Sequence, residues 1–478
     1  MTTSVDGLVS GLSTSSLIQQ LMQVEKAPQD RLKTKVTTAQ TAVSSYQSVN
    51  SKLSSLKSAA DDISQLKTWR AIKPTSTSSN VTATATGGLN AAAGELTFDI
   101  TKLARAQSTT MKVDTTKSFD TNNDGTPDAP VRITNAASLD VTPVTYDKDG
   151  LVISTGTPVP VDISADQSAE GIAKAINQAN LGIRAYVVKV SDTEGVLQFT
   201  GTKPGADKGF TIDGLNGTGV GGTDPVTRVS QNAVMQVGDP NNGGYTIESG
   251  NNTFADVIPG VTITATKEDN NVTVSAAADV SGVAAKFQAL VDAANATLTE
   301  IGTQTAYNAE TKKGSPLTGD FMVRQMSQTI LSAVSIGLTY PNPKFDANQA
   351  EGPGNLKNIE FGSLAKLGIE LSRDGKLSFD AGKFTAGYNT DPAAIQEAGI
   401  ALGDAFESLA GKQSTSVTAV VTGRKNEIDT INTQISNWDV RLSARQAALQ
   451  RQYASLETSL GSLKNQSSWL AGQLGGLG

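Results

Sequence analysis

The hydrophobic pattern of the chain changes period twice, from helical spacing to strand alternation and back. No glycine occurs from Leu12 to Thr86, and no proline between Pro28 and Pro74. Within that window Ala39, Ala42, Tyr46, Val49, Leu53, Leu56, Ala60 and Ile63 recur three and four residues apart. This is the heptad spacing of a helix with one apolar seam, closed by Trp69 and Pro74. At the other end no proline follows Pro392, and Ile428, Ile435, Leu442, Leu449, Leu456 and Leu463 recur every seven residues. The second row of that seam holds Ile431 and Trp438, then turns polar at Arg445, Gln452 and Ser459. A polar row weakens a simple two-stranded coiled coil. The spacing therefore predicts firm packing over 428–442 and looser packing beyond, completed by partners. It leaves open whether the seam closes within one chain or between chains.

The middle reads as strand. Residues 75–94 are rich in Thr, Ser, Ala, Asn and Gly and read as a linker entering strands. Leu96, Phe98 and Ile100 alternate with polar residues, as do Val261, Ile263 and Ala265, then Val272 and Val274 after the turn Asp269-Asn270-Asn271. Such alternation predicts half-buried strands. Ser168 to Asn180 reads as a short helix with Ile172, Ala175 and Ile176 inward, followed by a strand over Ile183–Val190. Thr202–Gly222 is glycine-rich and reads as loop. Helical spacing returns at Val283–Ile301 and Phe321–Ile336. The expected class is α+β and multidomain: a coiled-coil-like stalk or leg from the paired terminal segments, with β-rich head domains nested between them.

Composition narrows the chemistry. The chain has 478 residues, enough for two to four domains, with 38% apolar and 5% aromatic residues. It contains no cysteine and no histidine. Disulfides, thiolate nucleophiles and triads that use an imidazole are excluded, while carboxylate or lysine chemistry stays open. The net charge of −7 is uneven: residues 1–75 and 415–478 are mildly basic, and the middle carries −13. An acidic middle argues against nucleic-acid binding. No basic stretch followed by an apolar core opens the chain, and no apolar run reaches membrane-spanning length, so neither a cleaved secretory signal nor membrane insertion is expected.

Few motifs carry chemistry. Asp120, Asn122, Asp124 and Asp128, with Gly125, follow the oxygen spacing of a Ca²⁺ loop, but Val131 stands where a bidentate Glu belongs. The alternative is an acidic turn whose side chains satisfy their own backbone. No other cofactor is expected. Gly217 to Gly222 fits a phosphate-loop string, yet Asp224-Pro225 follows and no helix opens there to present its N–H groups. Asp61-Asp62, Glu268-Asp269 and Asp279 are candidate carboxylates by composition only. The three tryptophans, at 69, 438 and 469, lie outside the β middle, which argues against a carbohydrate enzyme. Trp469 and Leu470 form an isolated apolar pair near a glycine-rich end and read as a partner surface.

Read together, the two ends resemble a known family. Asp6-Gly7-Leu8-Val9-Ser10-Gly11-Leu12-Ser13 and Leu21-Met22-Gln23-Val24-Glu25-Lys26-Ala27-Pro28 are similar to the opening of bacterial flagellar filament-cap proteins (hook-associated protein 2). Ser13 stands where that family often has Asp, and either residue can cap a helix. Arg441-Leu442, Tyr453, Leu456-Glu457, Leu460 and Gln466 to Leu470 resemble the family's C-terminal helix. Val159–Pro204 resembles a β-α-β insertion of flagellar axial proteins, and Asn251 to Phe254 with Ile258 to Thr262 resembles the end of an inner head domain. Leu317 to Asp320 and Ile369 to Leu377 resemble landmarks of the leg.

The resemblance implies a non-enzymatic, homo-oligomeric cap outside the cell at the flagellar tip, promoting flagellin polymerisation and preventing flagellin loss. It implies export of the uncut chain by the flagellar type III apparatus. The implied partners are other copies of the chain, flagellin, the hook-filament junction protein and an export chaperone. The implied assembly residues are Gly7, Leu8, Ser10, Gly11, Leu12, Leu17 and Leu21, with Ile428, Ile435, Trp438, Leu442, Leu449, Leu456, Trp469 and Leu470. The implied division is an assembly segment over 1–45, disordered or coiled coil until assembled, and a leg helix over 46–78. An inner head over 79–105 and 236–280 would enclose an outer head over 106–235, followed by a helical leg over 281–414 and an assembly segment over 415–478. Two alternatives stay open: another axial protein (junction protein or flagellin), or an adhesin binding host mucin or glycan through its head.

Overall fold

The structure is a computed structural model, and it describes residues 13–87, 91–114, 132–192, 194–215 and 224–475. The chain forms two compact units: residues 1–68 with 280–478, and residues 69–279. In sequence the second is an insertion in the first.

The first unit is built on α1 (Thr14–Ser64) and α7 (Pro392–Gly475). At 1.5 Å per residue these are about 77 Å and about 126 Å long. The heptad rows read from the sequence are the contact faces. Val49, Leu53, Leu56, Ala60 and Ile63 are fully buried. α1 runs unbroken through Pro28, which lies on its exposed face. The expected boundary at 45/46 therefore has no structural counterpart. Met22 and Gln29 are buried on either side of the proline, and their contacts hold the helix across the lost hydrogen bond.

The leg helix expected over 46–78 stops earlier. Gln65 is extended (φ −71°, ψ 121°), the short helix α2 (Leu66–Trp69) follows, and strand β1 covers Ile72–Ser76. Pro74 cannot donate inside a helix, and Ile72 and Thr75 favour extended backbone. There is likewise no break at 415. α7 begins at Pro392, a favoured first helical residue, and the Asp391 carboxylate accepts from the Ala394 N–H at 3.0 Å.

α4 (Val280–Thr305), α5 (Phe321–Ser335) and α6 (Ala381–Thr390) complete the helical part of this unit. Three short hairpins lie among them: β17 (Tyr307–Asn308) with β18 (Lys313–Gly314), β19 (Leu338–Pro341) with β20 (Asn358–Gly362), and β21 (Ile369–Leu371) with β22 (Leu377–Phe379). Phe287 and Phe384 pack with ring centroids 4.9 Å apart and are fully buried.

The second unit has two cores. In the first, one sheet orders β1 (Ile72–Ser76), β16 (Asp269–Ala278), β3 (Gly94–Lys102), β12 (Ala233–Val237) and β13 (Tyr245–Ser249). It shares that core with a sheet of β14 (Thr253–Ile258), β15 (Val261–Ala265) and β2 (Val81–Ala85). The stretch 75–94, expected as a linker entering strands, thus supplies the last two residues of β1, all of β2 and the first residue of β3. The expected turn at Asp269-Asn271 is a bulge inside β16: Asp269 pairs with Ile100 and Val272 with Phe98, while Asn271 has φ 53°. β12 belongs to this sheet, so a division at 235/236 falls inside a strand.

The second core lies under two further sheets. One orders β10 (Gly209–Asp213), β5 (Ser138–Tyr146) and β6 (Val152–Thr155), with β7 (Val159–Asp162) also on β5. The other orders β11 (Val226–Arg228), β4 (Ser108–Asp114), β9 (Glu194–Gly201) and β8 (Ile183–Lys189). Helix α3 (Ala169–Ala179) buries Ile172 and Ile176 in this core, with Ser168 capping it and Asn180 left-handed at its end, as its sequence predicts. β10 corrects the loop expected at 202–222. Its Gly209 lies under the Tyr146 ring, where a Cβ would come within 2.3 Å of a ring carbon. The glycine that suggests loop is there for close packing.

Candidate assembly site

α1 and α7 pair antiparallel, and polar contacts mark the register. Lys57 lies 3.6 Å from Glu407, Ser414 Oγ donates to Asn50 Oδ1 at 2.6 Å, and Gln29 Nε2 donates to Asp439 Oδ1 at 2.5 Å. Nearer the start of α1, Arg445 lies 3.5 Å from Glu25. Gln29 makes its bond from a buried position, while the two ion pairs are exposed or half-exposed and set register more than stability. The apolar seam supplies the latter, with Val36, Val43, Val49 and Leu53 against Val417, Ile428 and Ile431. α1 is further tied to α5. The Tyr46 hydroxyl donates to the Asp320 carboxylate, which also caps α5 by accepting from the Val323 N–H at 3.0 Å. Burial, then the Asp320 carboxylate, pushes the Tyr46 phenol up to about 12.

The expected assembly residues divide into three groups. Ile428, Leu442 and Leu449 are buried, and Ile435 and Trp438 half-buried, within this chain's own pair. Leu442 and Leu449 close a small cluster on Ile18 and Met22, with Trp438 and Tyr453 at its edge. In this chain, therefore, the seam over 428–449 closes intramolecularly. Leu17 and Leu21 point the other way, about two-fifths exposed. With Val24 they form an outward stripe spaced four and three residues apart.

The third group lies beyond the pair. α1 begins at Thr14, and its last apolar partner on α7 is Tyr453. α7 continues to Gly475. Leu456, Leu463, Trp469 and Leu470 on that extension are half-exposed or more, Trp469 by 65%. Leu474 and Val440 join the exposed apolar set; neither stood out in the sequence, although Leu474 lies four residues past Leu470, one helical turn on. Gly7, Leu8, Ser10, Gly11 and Leu12 lie outside the described residues, as do Asp120, Asn122, Asp124, Asp128 and Gly217 to Gly222.

Among the described residues no group of three or more acidic side chains could hold a metal ion, and no helix is long and apolar enough to cross a membrane. The shifted carboxylates have local causes. Asp269 is lowered by the Ser78 and Asn80 side chains, and Asp147 chiefly by the Leu151 N–H.

The chain's N-terminal part, residues 10–107, matches the family model for the flagellar hook-associated protein 2 N-terminus. Residues 230–465 match the model for the C-terminus of the same protein. The chain belongs to the flagellar hook-associated protein 2 family. Between the two, residues 146–203 match the flagellin hook IN motif, which covers β6 to β9 with α3. Among curated relatives, the flagellar hook-associated protein 2 of Escherichia coli K12 is 25% identical over 98% of this chain and 97% of its own length. The A-type protein of Pseudomonas aeruginosa is 25% identical over 79% of this chain and 76% of its own length. The fold is shared with the crystal structure of the Escherichia coli flagellar cap protein D1-D2-D3 domains. That match has a TM-score of 0.53 and 24% identity, over 80% of this chain and 99% of the other. Membership of the hook-associated protein 2 family decides among the axial-protein readings, against flagellin and the junction proteins.

Proposed function

We propose that this chain caps the distal end of the bacterial flagellar filament. As a homo-oligomer it retains exported flagellin and promotes its polymerisation at the tip. The family supplies the role, and one observation ties it to this chain: the apolar face of α7 runs on past the last residue of α1 that covers it. A bare helical stripe of this kind is stable in water only at a loss and is completed by a partner helix. In the proposal that partner is supplied at the filament end, by flagellin or by the hook-filament junction protein before the first flagellin arrives. The outward stripe of Leu17, Leu21 and Val24 is a second contact of the same kind. Export occurs through the flagellar type III apparatus, with a chaperone covering the apolar stripe beforehand. The work of stepping comes from flagellin polymerisation, and the protein itself catalyses no reaction.

The test is the ratio of soluble to filamentous flagellin made by cells lacking the gene. Abundant flagellin in the medium, cured by the intact gene but not by one ending at Tyr453, is the expected result. Normal filaments without leakage would remove the cap reading.

A further inference from the structure

The tip of the β12–β13 hairpin sets side by side two groups that react with each other. Residues 238–244 join the strands, and 238–243 are exposed. Asp239 organises the turn. Its carbonyl accepts from the Asn242 and Gly244 N–H groups, both at 2.8 Å, and its carboxylate from the Asn241 N–H at 2.9 Å. Two neighbouring groups are left over. Among the described residues the Gly243 N–H has no acceptor and the Asn242 side-chain amide has no partner. Gly243 has φ 84°, and nothing lies within 4 Å of where a Cβ would stand. With no side chain of its own, it leaves its nitrogen open to the residue before it.

Two turns of similar sequence differ in this respect. Gly150, after Asp149, donates to the Asp147 carbonyl at 3.1 Å, and Gly375, after Asp374, donates to the Ser372 carbonyl at 3.1 Å. Their nitrogens are held by the turn. Asn348 is exposed like Asn242, but Gln349 follows it, and its amide donates to the Asp346 carboxylate at 3.0 Å.

We infer that Asn242 is a site of spontaneous deamidation that the folded chain leaves open. Hydroxide removes the proton from the Gly243 nitrogen, which attacks the Asn242 Cγ. The N–Cγ bond forms, the Cγ–Nδ2 bond breaks, and Nδ2 takes protons from water and leaves as ammonia. Water then opens the cyclic imide. Attack at Cγ gives aspartate, and attack at the main-chain carbonyl gives isoaspartate, in which the chain runs through the side-chain methylene. No oxidant, cofactor or enzyme is required, so the fraction converted records the age of the chain. The two products differ in consequence. Aspartate adds a charge beside Asp239 and keeps the backbone. Isoaspartate lengthens a turn that has no slack, since a Cβ on Gly244 would stand 2.6 Å from the Asp239 carbonyl. The added methylene drives Gly244 off that carbonyl and opens the hairpin beside the Val237–Tyr245 pair. β13 is the last strand of its sheet, so this end frays. The inference is independent of the cap reading.

The test is peptide mapping by mass spectrometry on full-length chain aged in neutral and in mildly alkaline buffer, both folded and in urea. Asn242 should be converted before Asn241 and Asn348, and faster at the higher pH. Its rate in the folded chain should lie within about threefold of that in urea, as for a site that reacts without local unfolding. Asn216 also precedes a glycine but lies outside the described residues, and it is read from its own peptide. Asn242→Gln should abolish the mass change at this position. Asn242→Asp should match the fresh chain in hydrogen exchange at Gly244 and Tyr245, while the isoaspartate form exchanges faster there. A folded rate about a tenth of that in urea, or lower, would mean that the turn protects Asn242 and would overturn the inference. So would conversion of Asn241 or Asn348 that keeps pace with it. Equal exchange in the aspartate and isoaspartate forms would overturn the opening of the hairpin.

Discussion

Two stretches of helix in this protein share a seven-residue apolar spacing and differ in what covers them. On α1, Val49, Leu53, Leu56 and Ile63 are fully buried against their own chain. On the end of α7, Leu456, Leu463 and Leu470 keep the same spacing and are half-exposed or more. The difference is one of length. Among the described residues α1 begins at Thr14 and α7 outruns it, so the same spacing is core in one place and open surface in the other. A heptad row reports that a face will be covered. How far the antiparallel partner extends determines whether the same chain covers it.

The comparison breaks most sharply at its leucines. Leu53→Ala leaves a cavity in a seam with no solvent access and is expected to lower the stability of the first unit by about 2–5 kcal/mol. Leu463→Ala should stay within about 0.5 kcal/mol. Urea unfolding followed by helical circular dichroism reads both, and equal losses would mean that the end of α7 is covered within its own chain.

Glycines on α7 sharpen the same contrast with smaller effects. At Gly403 a Cβ would stand 2.7 Å from the Ala60 carbonyl oxygen and the Ser64 nitrogen, backbone atoms that cannot swing aside. Gly403→Ala should therefore destabilise by about 1–3 kcal/mol through overpacking. At Gly472 nothing lies within 4 Å. Gly472→Ala should raise helix content and stabilise by up to about 1 kcal/mol. Opposite signs in one thermal-melting experiment are the expected result.

Tyr46 adds a pH dependence to the covered stretch. Its phenol is raised to about 12 in the folded chain, against about 10 unfolded. Between those values the folded state keeps a proton that the unfolded state has lost. The stabilisation is full below pH 10 and is lost as pH rises through 12, a change of roughly 1–3 kcal/mol. Tyr146 and Tyr340 are raised too, so the readout is wild type minus Tyr46→Phe, and the variant should flatten the alkaline limb. An unchanged limb would remove the Tyr46–Asp320 bond as a tie between α1 and α5.

Much of this was legible in the residues. Ala39 to Ile63 and Ile428 to Leu449 gave both faces of the pair because heptad spacing survives whatever the partner is. The α3 helix could be bounded to the residue, since Ser168 and Asn180 are local signals for its two ends. What failed was any feature decided across long separations. β1 and β2 lie in a Thr- and Ser-rich stretch whose strand character comes from pairing with β16 and β15, some two hundred residues away. β10 looked like loop because Gly209 is required by a ring on another strand. Of the assembly site, the apolar stripe on α7 was readable, but the point where cover ends depends on the antiparallel register, which Gln29, Glu25 and their partners set.

The smallest effect on the isolated chain should come from Trp469→Ala with Leu470→Ala. Both side chains are more than half exposed at the far end of α7, beyond the stretch that packs on α1, so unfolding should be unchanged within about 0.5 kcal/mol. If that end of α7 is where the cap meets the filament, the same pair of substitutions should raise flagellin in the medium while normal amounts of the protein are still exported. An unaltered leak would move the contact to the outward stripe of Leu17, Leu21 and Val24. A stability loss as large as that of Leu53→Ala would mean that the two stretches are the same kind of surface.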